Sequence, residues 1–231
     1  MAGGFADGAG YAMFPGPAGL SPVSPPLDVA ALDDAALTAA LLALVLPGDA
    51  QPLAATLVQR FGSFAALLSA PVRELQAVPG LGPHSVAAIK LVHATALRAA
   101  QARLMHRVVL DDMDRLTSYL QAVLARERIE QFRVLFLDDA QCLIADEAQA
   151  RGTVNHTPVY PREVVRRAIE LRAAALVLVH NHPSGDPTPS REDVEMTATV
   201  RDAAALLGVV VRDHLIVGNG RWVSLRDDGL M

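Results

Sequence analysis

The chain carries one cysteine, Cys142, in 231 residues. That scarcity excludes a disulfide framework and any cysteine-based zinc ribbon, and it fits a reducing cytosol. No uninterrupted apolar run reaches the ~18–20 residues needed to span a bilayer. Lys and Arg are missing ahead of any apolar stretch at the start, so no secretory signal is expected. Lysine is nearly lacking too: Lys90 stands alone beside 19 arginines. What the chain has in quantity is apolar side chains, 52% of the total. That is enough for a real core and excludes a wholly disordered protein. The expectation is a soluble cytoplasmic protein of one or two domains, with no membrane contact.

Charge is unevenly spread. Residues 1–50 hold five Asp and no Lys or Arg. Residues 51–107 hold Arg60, Arg73, Lys90, Arg98, Arg103 and Arg107 against Glu74 alone, a net of +5. Residues 108–231 hold 14 Arg and 19 acids, a net of −5. A basic module between acidic ones points to contact with an anion, or to a solvated helix face.

The first 26 residues contain six Gly and five Pro, so neither a helical nor a strand period survives, and residues 1–27 read as a disordered tail. Residues 28–107 read as a small all-helical domain. Asp33 or Asp34 caps a first helix that Pro47-Gly48 stops; a second runs from Gln51 to Phe61. Ser63 and Ser69 open two short helices, and residues 83–103 form a longer one. Residues 108–231 read as a mixed sheet packed by helices, an α/β arrangement of the α+β kind. Val108 to Leu110 reads as a short strand and residues 114–126 as a helix. Arg133 to Leu137 and Cys142 to Ala145 pair through a turn at Asp138-Asp139. A helix starts at Pro161, Leu176 to Val179 is a buried strand, and Ser190 starts a helix that Gly208 ends. Val209 to Val211, Leu215 to Val217 and Trp222 to Leu225 complete the strands. Cys142 reads as a small core residue, and His84, His93, His106 and His156 are given no role.

The sharpest chemistry lies in His180-Asn181-His182-Pro183-Ser184-Gly185-Asp186, continuing through Ser190 to Asp193. His180 and His182 alternate at the end of a buried strand, so both rings project to one side. The chain returns at a helix start, where Asp193 sits one turn in. Two imidazoles and one carboxylate leave a fourth tetrahedral position open, as in catalytic zinc sites. The same Ser190-Arg191-Glu192-Asp193 run reads as a capping box, which would aim the helix end rather than compete with a metal. Asp186 is a rival ligand, though a loop acid between prolines is usually a turn former.

His-x-His, seven residues, Ser, two residues, Asp is the JAMM signature of MPN metalloprotease-like domains, and His180, His182, Ser190 and Asp193 fit it without gaps. Gly152-Thr153-Val154-Asn155, Val159-Tyr160-Pro161-Arg162-Glu163, the HNHPSG run and Asp213-His214-Leu215-Ile216-Val217-Gly218 resemble the bacterial RadC family over about residues 30–231. The resemblance implies a JAMM/MPN fold with Zn2+ on His180, His182 and Asp193, hydrolysing an amide or isopeptide bond in a peptide or protein substrate. It implies an upstream glutamate as general base, a place that Glu130 occupies just before Val134-Leu135-Phe136-Leu137, and an oxyanion-stabilising serine, Ser190. Glu163 competes for the base, although beside Pro161 it suits a helix first turn. His214 and Asp213 read as strand residues beside the site. The basic stretch usual at the start of RadC proteins is replaced here by the Gly/Pro tail.

Val78-Pro79-Gly80-Leu81-Gly82-Pro83 ahead of a helix with Lys90 resembles a helix-hairpin-helix. Gly80, Gly82 and Lys90 are therefore candidates for weak, sequence-independent DNA contact; the alternative is a connector within a helical bundle. Two other functions stay open: a DNA-binding accessory protein whose metal site is not catalytic, and a metal-dependent nuclease. A nuclease of the metallo-β-lactamase type needs His-x-His-x-Asp-His, which HNHPSGD does not supply.

Overall fold

A computed structural model of the chain describes residues 28–105, 108–124, 127–151 and 159–231. The Gly/Pro tail, His106, Arg107, Gly152-Thr153-Val154-Asn155 and His156 lie outside the described residues. The chain divides into two compact units, the first ending at Leu91 and the second starting at Val92. No helix among the described residues is long and apolar enough to cross a membrane.

The first unit holds α1 (Asp34–Ala43), α2 (Gln51–Phe61), α3 (Phe64–Ser69), α4 (Val72–Gln76) and the start of α5 (Pro83–Ala102). Asp33 caps α1 by accepting from the Ala36 N–H, and the Asp34 carboxylate accepts from the Phe64 N–H at 3.0 Å, joining α1 to α3. Leu42, Leu57, Leu67, Leu75 and Ile89 are fully buried and form the interior. Ser63 caps α3 as expected. Ser69 does not open α4: it is the last residue of α3, its hydroxyl donates back to the Ala65 and Ala66 carbonyls, and Pro71 precedes α4 instead. A serine spent on its own helix cannot cap the next.

The second unit begins with the later turns of α5, followed by α6 (Met113–Leu124), β1 (Gln131–Leu137), β2 (Leu143–Arg151), α7 (Pro161–Glu170), β3 (Ala175–Asn181), α8 (Arg191–Ala205), β4 (Val210–Val217) and β5 (Trp222–Ser224). The sheet order is β2-β1-β3-β4-β5; only β3 and β4 run parallel, joined through α8. Side-chain alternation sorts the core into two faces. Leu135, Leu137, Val177, Val179 and Leu215 pack with Leu116, Leu120 and Leu124 of α6. Phe132, Val134, Phe136, Leu176 and Leu178 pack with Val164, Val165 and Ala168 of α7 and Val200 and Ala204 of α8.

Three strand expectations change. Val108 makes one bridge to Cys142, and Val109–Asp111 is a 3-10 turn rather than a strand. The hairpin's second strand starts at Leu143 and continues to Arg151, because its acids find partners: Asp146 with Arg133 and Tyr119, Glu147 with Arg167. Cys142 lies outside that strand and is half-buried, not core. Val210-Val211 and Leu215 to Val217 are pieces of one strand, β4, with Val209 just ahead of it; β4 carries Asp213 and His214 through the interior fully buried.

Candidate metal centre

Parity along β3 places His180 on the same face as Leu176 and Leu178, toward α8. His180 is 1% exposed. His182 lies one residue past the strand end, held in line by its N–H donating to the Val217 carbonyl at 3.0 Å. The loop then doubles back through Gly185, whose φ of +84° is the left-handed conformation that glycine adopts without a Cβ penalty. The Asp186 carboxylate accepts from the Thr188 N–H and hydroxyl, so this rival ligand is a turn former and does not join the group of His180, His182 and Asp193. Its backbone carbonyl faces the His182 Nδ1 at 2.8 Å. A carbonyl can only accept, so Nδ1 carries the proton and, in the neutral ring, Nε2 of His182 holds a lone pair.

Ser190 caps α8, and Asp193 completes a capping box with it: the Asp193 N–H donates to Ser190 Oγ at 3.1 Å and the Ser190 N–H to Asp193 Oδ2 at 2.8 Å. The Ser190 hydroxyl donates to the same Oδ2 at 2.6 Å. The cap fixes the carboxylate across from the two rings. Nε2 of His180 is 3.1 Å from Asp193 Oδ1, Nε2 of His182 is 3.5 Å from Oδ2, and the two Nε2 atoms are 3.0 Å apart. Donors about 2.0–2.1 Å from a tetrahedral zinc ion lie roughly 3.3 Å from one another, which these separations bracket. The donor set, two imidazoles and a carboxylate, suits the same ion and leaves a coordination position open. These residues fit a divalent metal, and they are the one such group of three found among the described residues.

The electrostatics agree. Burial alone would raise the Asp193 carboxyl, but the His180 and His182 imidazoles set against it outweigh burial and hold the group well below the usual carboxylate range. His182 is raised, first by its hydrogen bond to Asp193 and with a contribution from the negative charge of Glu130. Glu130 directly precedes β1. Phe132 lies opposite His180 in the antiparallel register, so continuing that register two residues outward sets Glu130 opposite His182. Glu163 lies elsewhere, in the first turn of α7, 46% exposed and paired with Arg166 at 3.1 Å and Arg162 at 3.4 Å.

Several residues to which the sequence reading gave no part in the site, His214 among them as a strand residue beside it, hold this constellation. Asn181, between the two histidines, is buried; its Oδ1 accepts from the Gln131 N–H at 2.9 Å and its amide donates to the Ile129 carbonyl at 3.2 Å. It thereby straps the segment bearing Glu130 to the end of β3. Its signal was its place inside the HNH run. His214 Nε2 lies 2.8 Å from His180 Nδ1, and Thr197 Oγ1 lies 2.6 Å from His214 Nδ1. Full burial pushes the His214 imidazole well below its ordinary value, so it stays neutral. Gly218 lets the loop close on β4: a Cβ there would stand 2.3 Å from the Gly185 carbonyl oxygen.

In the turn before α5, Gly80 has a φ of +86°. The Lys90 ammonium donates to the Leu68 carbonyl at 2.9 Å, tying α5 to the end of α3.

A family model described as a RadC-like JAB domain matches residues 110–230. A protein of Rhodobacter capsulatus named only as a UPF0758 protein is 52% identical over 202 residues, covering 87% of this chain and 94% of its own length. A UPF0758 protein of Ruegeria pomeroyi is 49% identical over 203 residues, covering 87% of this chain and 91% of its own.

Proposed function

The chain belongs to the bacterial RadC family, and on that premise we propose that it is a zinc-dependent hydrolase of the JAMM type, cleaving peptide or isopeptide bonds. The observation that supports this most is the convergence of His180, His182 and Asp193 from a strand end and a helix start, with the Glu130 charge acting on His182. A structural zinc site closes its fourth position and needs no further carboxylate nearby. When bound, the metal supplies Lewis acidity, lowering the pKa of water it coordinates and polarising a carbonyl oxygen. Glu130 takes the proton from the attacking water and passes it to the leaving amine. Ser190 orients the Asp193 carboxylate through its hydroxyl and, at the positive end of α8, has the role of stabilising a developing oxyanion. Asn181 keeps the Glu130 segment in register with the histidines.

Metal analysis of purified full-length protein tests this reading. One zinc per chain is expected in wild type and in Glu130→Gln, which removes the proton acceptor but no ligand, and little zinc in His182→Ala. Any peptide-bond turnover should fall by roughly 10²–10⁴ in Glu130→Gln. Equal zinc in wild type and the His180→Ala/His182→Ala double variant would overturn the metal assignment.

A further inference from the structure

The Thr197 hydroxyl carries one proton and sits in two short contacts, 2.6 Å from the Asp193 backbone carbonyl and 2.6 Å from His214 Nδ1. The carbonyl oxygen has no proton to offer, so that contact is attractive only if the hydroxyl donates into it. The hydroxyl then has only lone pairs left for His214, and Nδ1 of His214 must be the donor. His214 is fully buried, and its ring nitrogens meet Thr197 and His180. A neutral ring with its proton on Nδ1 has a bare Nε2. That nitrogen is 2.8 Å from His180 Nδ1, which must therefore carry the proton in this contact. The proton direction is now set at every link, and in the ring form that can bind a metal it leaves Nε2 of His180 as a lone pair on the side of His182 and Asp193.

We propose that Thr197 and His214 are positioning residues that fix the ring orientation and tautomer of His180, presenting its Nε2 to the metal. The inference rests on the reading of His180 as a metal ligand. Histidine ligands usually donate their second nitrogen to a carboxylate, carbonyl or water. Here the acceptor is a buried neutral histidine, whose own tautomer is dictated by a helix hydroxyl one turn beyond the third ligand, Asp193. The chain thus starts and ends on metal ligands: the α8 backbone that aims Asp193 also sets the proton on His180. His182 reaches the same tautomer independently, through the Asp186 carbonyl.

Thr197→Val has the shape of threonine without the hydroxyl. Nothing then holds the proton on Nδ1 of His214; the alternative tautomer donates from Nε2 into His180 Nδ1 and moves the His180 proton onto the metal-facing nitrogen. Thr197→Ser restores the hydroxyl. The experiment measures zinc affinity of the full chain by chelator competition, together with imidazole ¹⁵N spectra of zinc-free protein. Thr197→Val should lose about 10- to 100-fold in affinity, the cost typical of removing such a partner, and Thr197→Ser should recover most of it. In wild type the downfield, unprotonated nitrogen of His214 should be Nε2. Wild-type affinity in folded Thr197→Val overturns the inference, as does a His214 whose bare nitrogen is Nδ1. A wild-type chain that binds no zinc overturns the reading beneath it, and the zinc-free spectra still decide the tautomer.

Discussion

The two units handle buried polar groups in different ways. In the helical unit, Thr38 returns its hydroxyl to the Asp34 carbonyl of its own helix, and the buried Ser85 hydroxyl has no hydrogen-bond partner. The rest of that interior is leucine, isoleucine, valine and alanine packing. In the sheet unit Thr117 likewise bonds within its own helix, but His180, Asn181, Thr197, Asp213, His214 and Ser224 are all buried, and the side chain of each is hydrogen-bonded to a partner on another element. Burying a polar group is costly unless it is satisfied, and a connected set costs least when every member is satisfied. The helical interior needs only volume. The sheet interior is specified group by group around the ends of β3 and α8, which is where the metal ligands lie.

The most severe way to break this contrast is at Gly218, which is not polar but lets the network close. A Cβ there meets the Gly185 carbonyl oxygen at 2.3 Å and Pro187 Cδ at 2.9 Å, so backbone must move. The loop that would move carries the Asp186 carbonyl that holds His182. Gly218→Ala should cost about 1–3 kcal/mol in urea unfolding, in the range of other overpacking changes, and should weaken zinc binding in chelator competition. An unchanged midpoint with unchanged zinc affinity would mean that the loop is not seated by this contact.

How much of this was legible in the sequence follows from how local each interaction is. The three ligands span 14 residues, so strand parity, a proline-restricted loop and a serine cap are enough to bring them together on paper. α2 was legible to the residue because Pro52 and Gly62 punctuate it. His214 meets His180 across 34 residues, and Asn181 meets Gln131 across 50. No periodicity reports such partners; indeed Arg212-Asp213-His214 looked like a break between two strands because their polarity is satisfied only in three dimensions. The same holds for β2, whose Asp146 and Glu147 hid its length until Tyr119, Arg133 and Arg167 were placed beside them.

On the other side of the contrast, Ser85 offers an intermediate effect of opposite sign. Its hydroxyl is buried in the first turn of α5 without a partner, so it contributes desolvation cost and no hydrogen bond. Ser85→Ala removes the cost and introduces a better helix former. Stability should stay level or rise by up to about 1 kcal/mol in denaturant unfolding. Thr197→Val, matched in chemistry, should lose stability because it strips a satisfied network. A destabilised Ser85→Ala would show that the helical interior also specifies its polar groups.

The smallest effect sharpens the contrast by asking whether it follows the unit or the burial. Glu147 belongs to the sheet unit and makes a two-pronged pair with Arg167, at 2.8 Å and 2.6 Å, but its side chain is 30% exposed. The hydrogen bonds from Arg167 lower its carboxyl against an opposing push from burial. A carboxyl that is lower in the folded than in the unfolded chain adds stability above the unfolded value of ~4.3, and that stability is lost as pH falls through the folded value. Glu147→Gln should therefore cost only about 0.5–1 kcal/mol at pH 7, the range for exposed pairs. The gap to wild type should shrink in 1 M salt and narrow as the medium is acidified from the unfolded value of ~4.3 down through the lower folded value, below which wild type is itself neutral. Unfolding curves of both proteins at pH 7 and pH 3.5 measure it. A cost of several kcal/mol that survives salt would place Glu147 with the buried network, and membership of the sheet unit, rather than burial, would then be what makes a polar group matter.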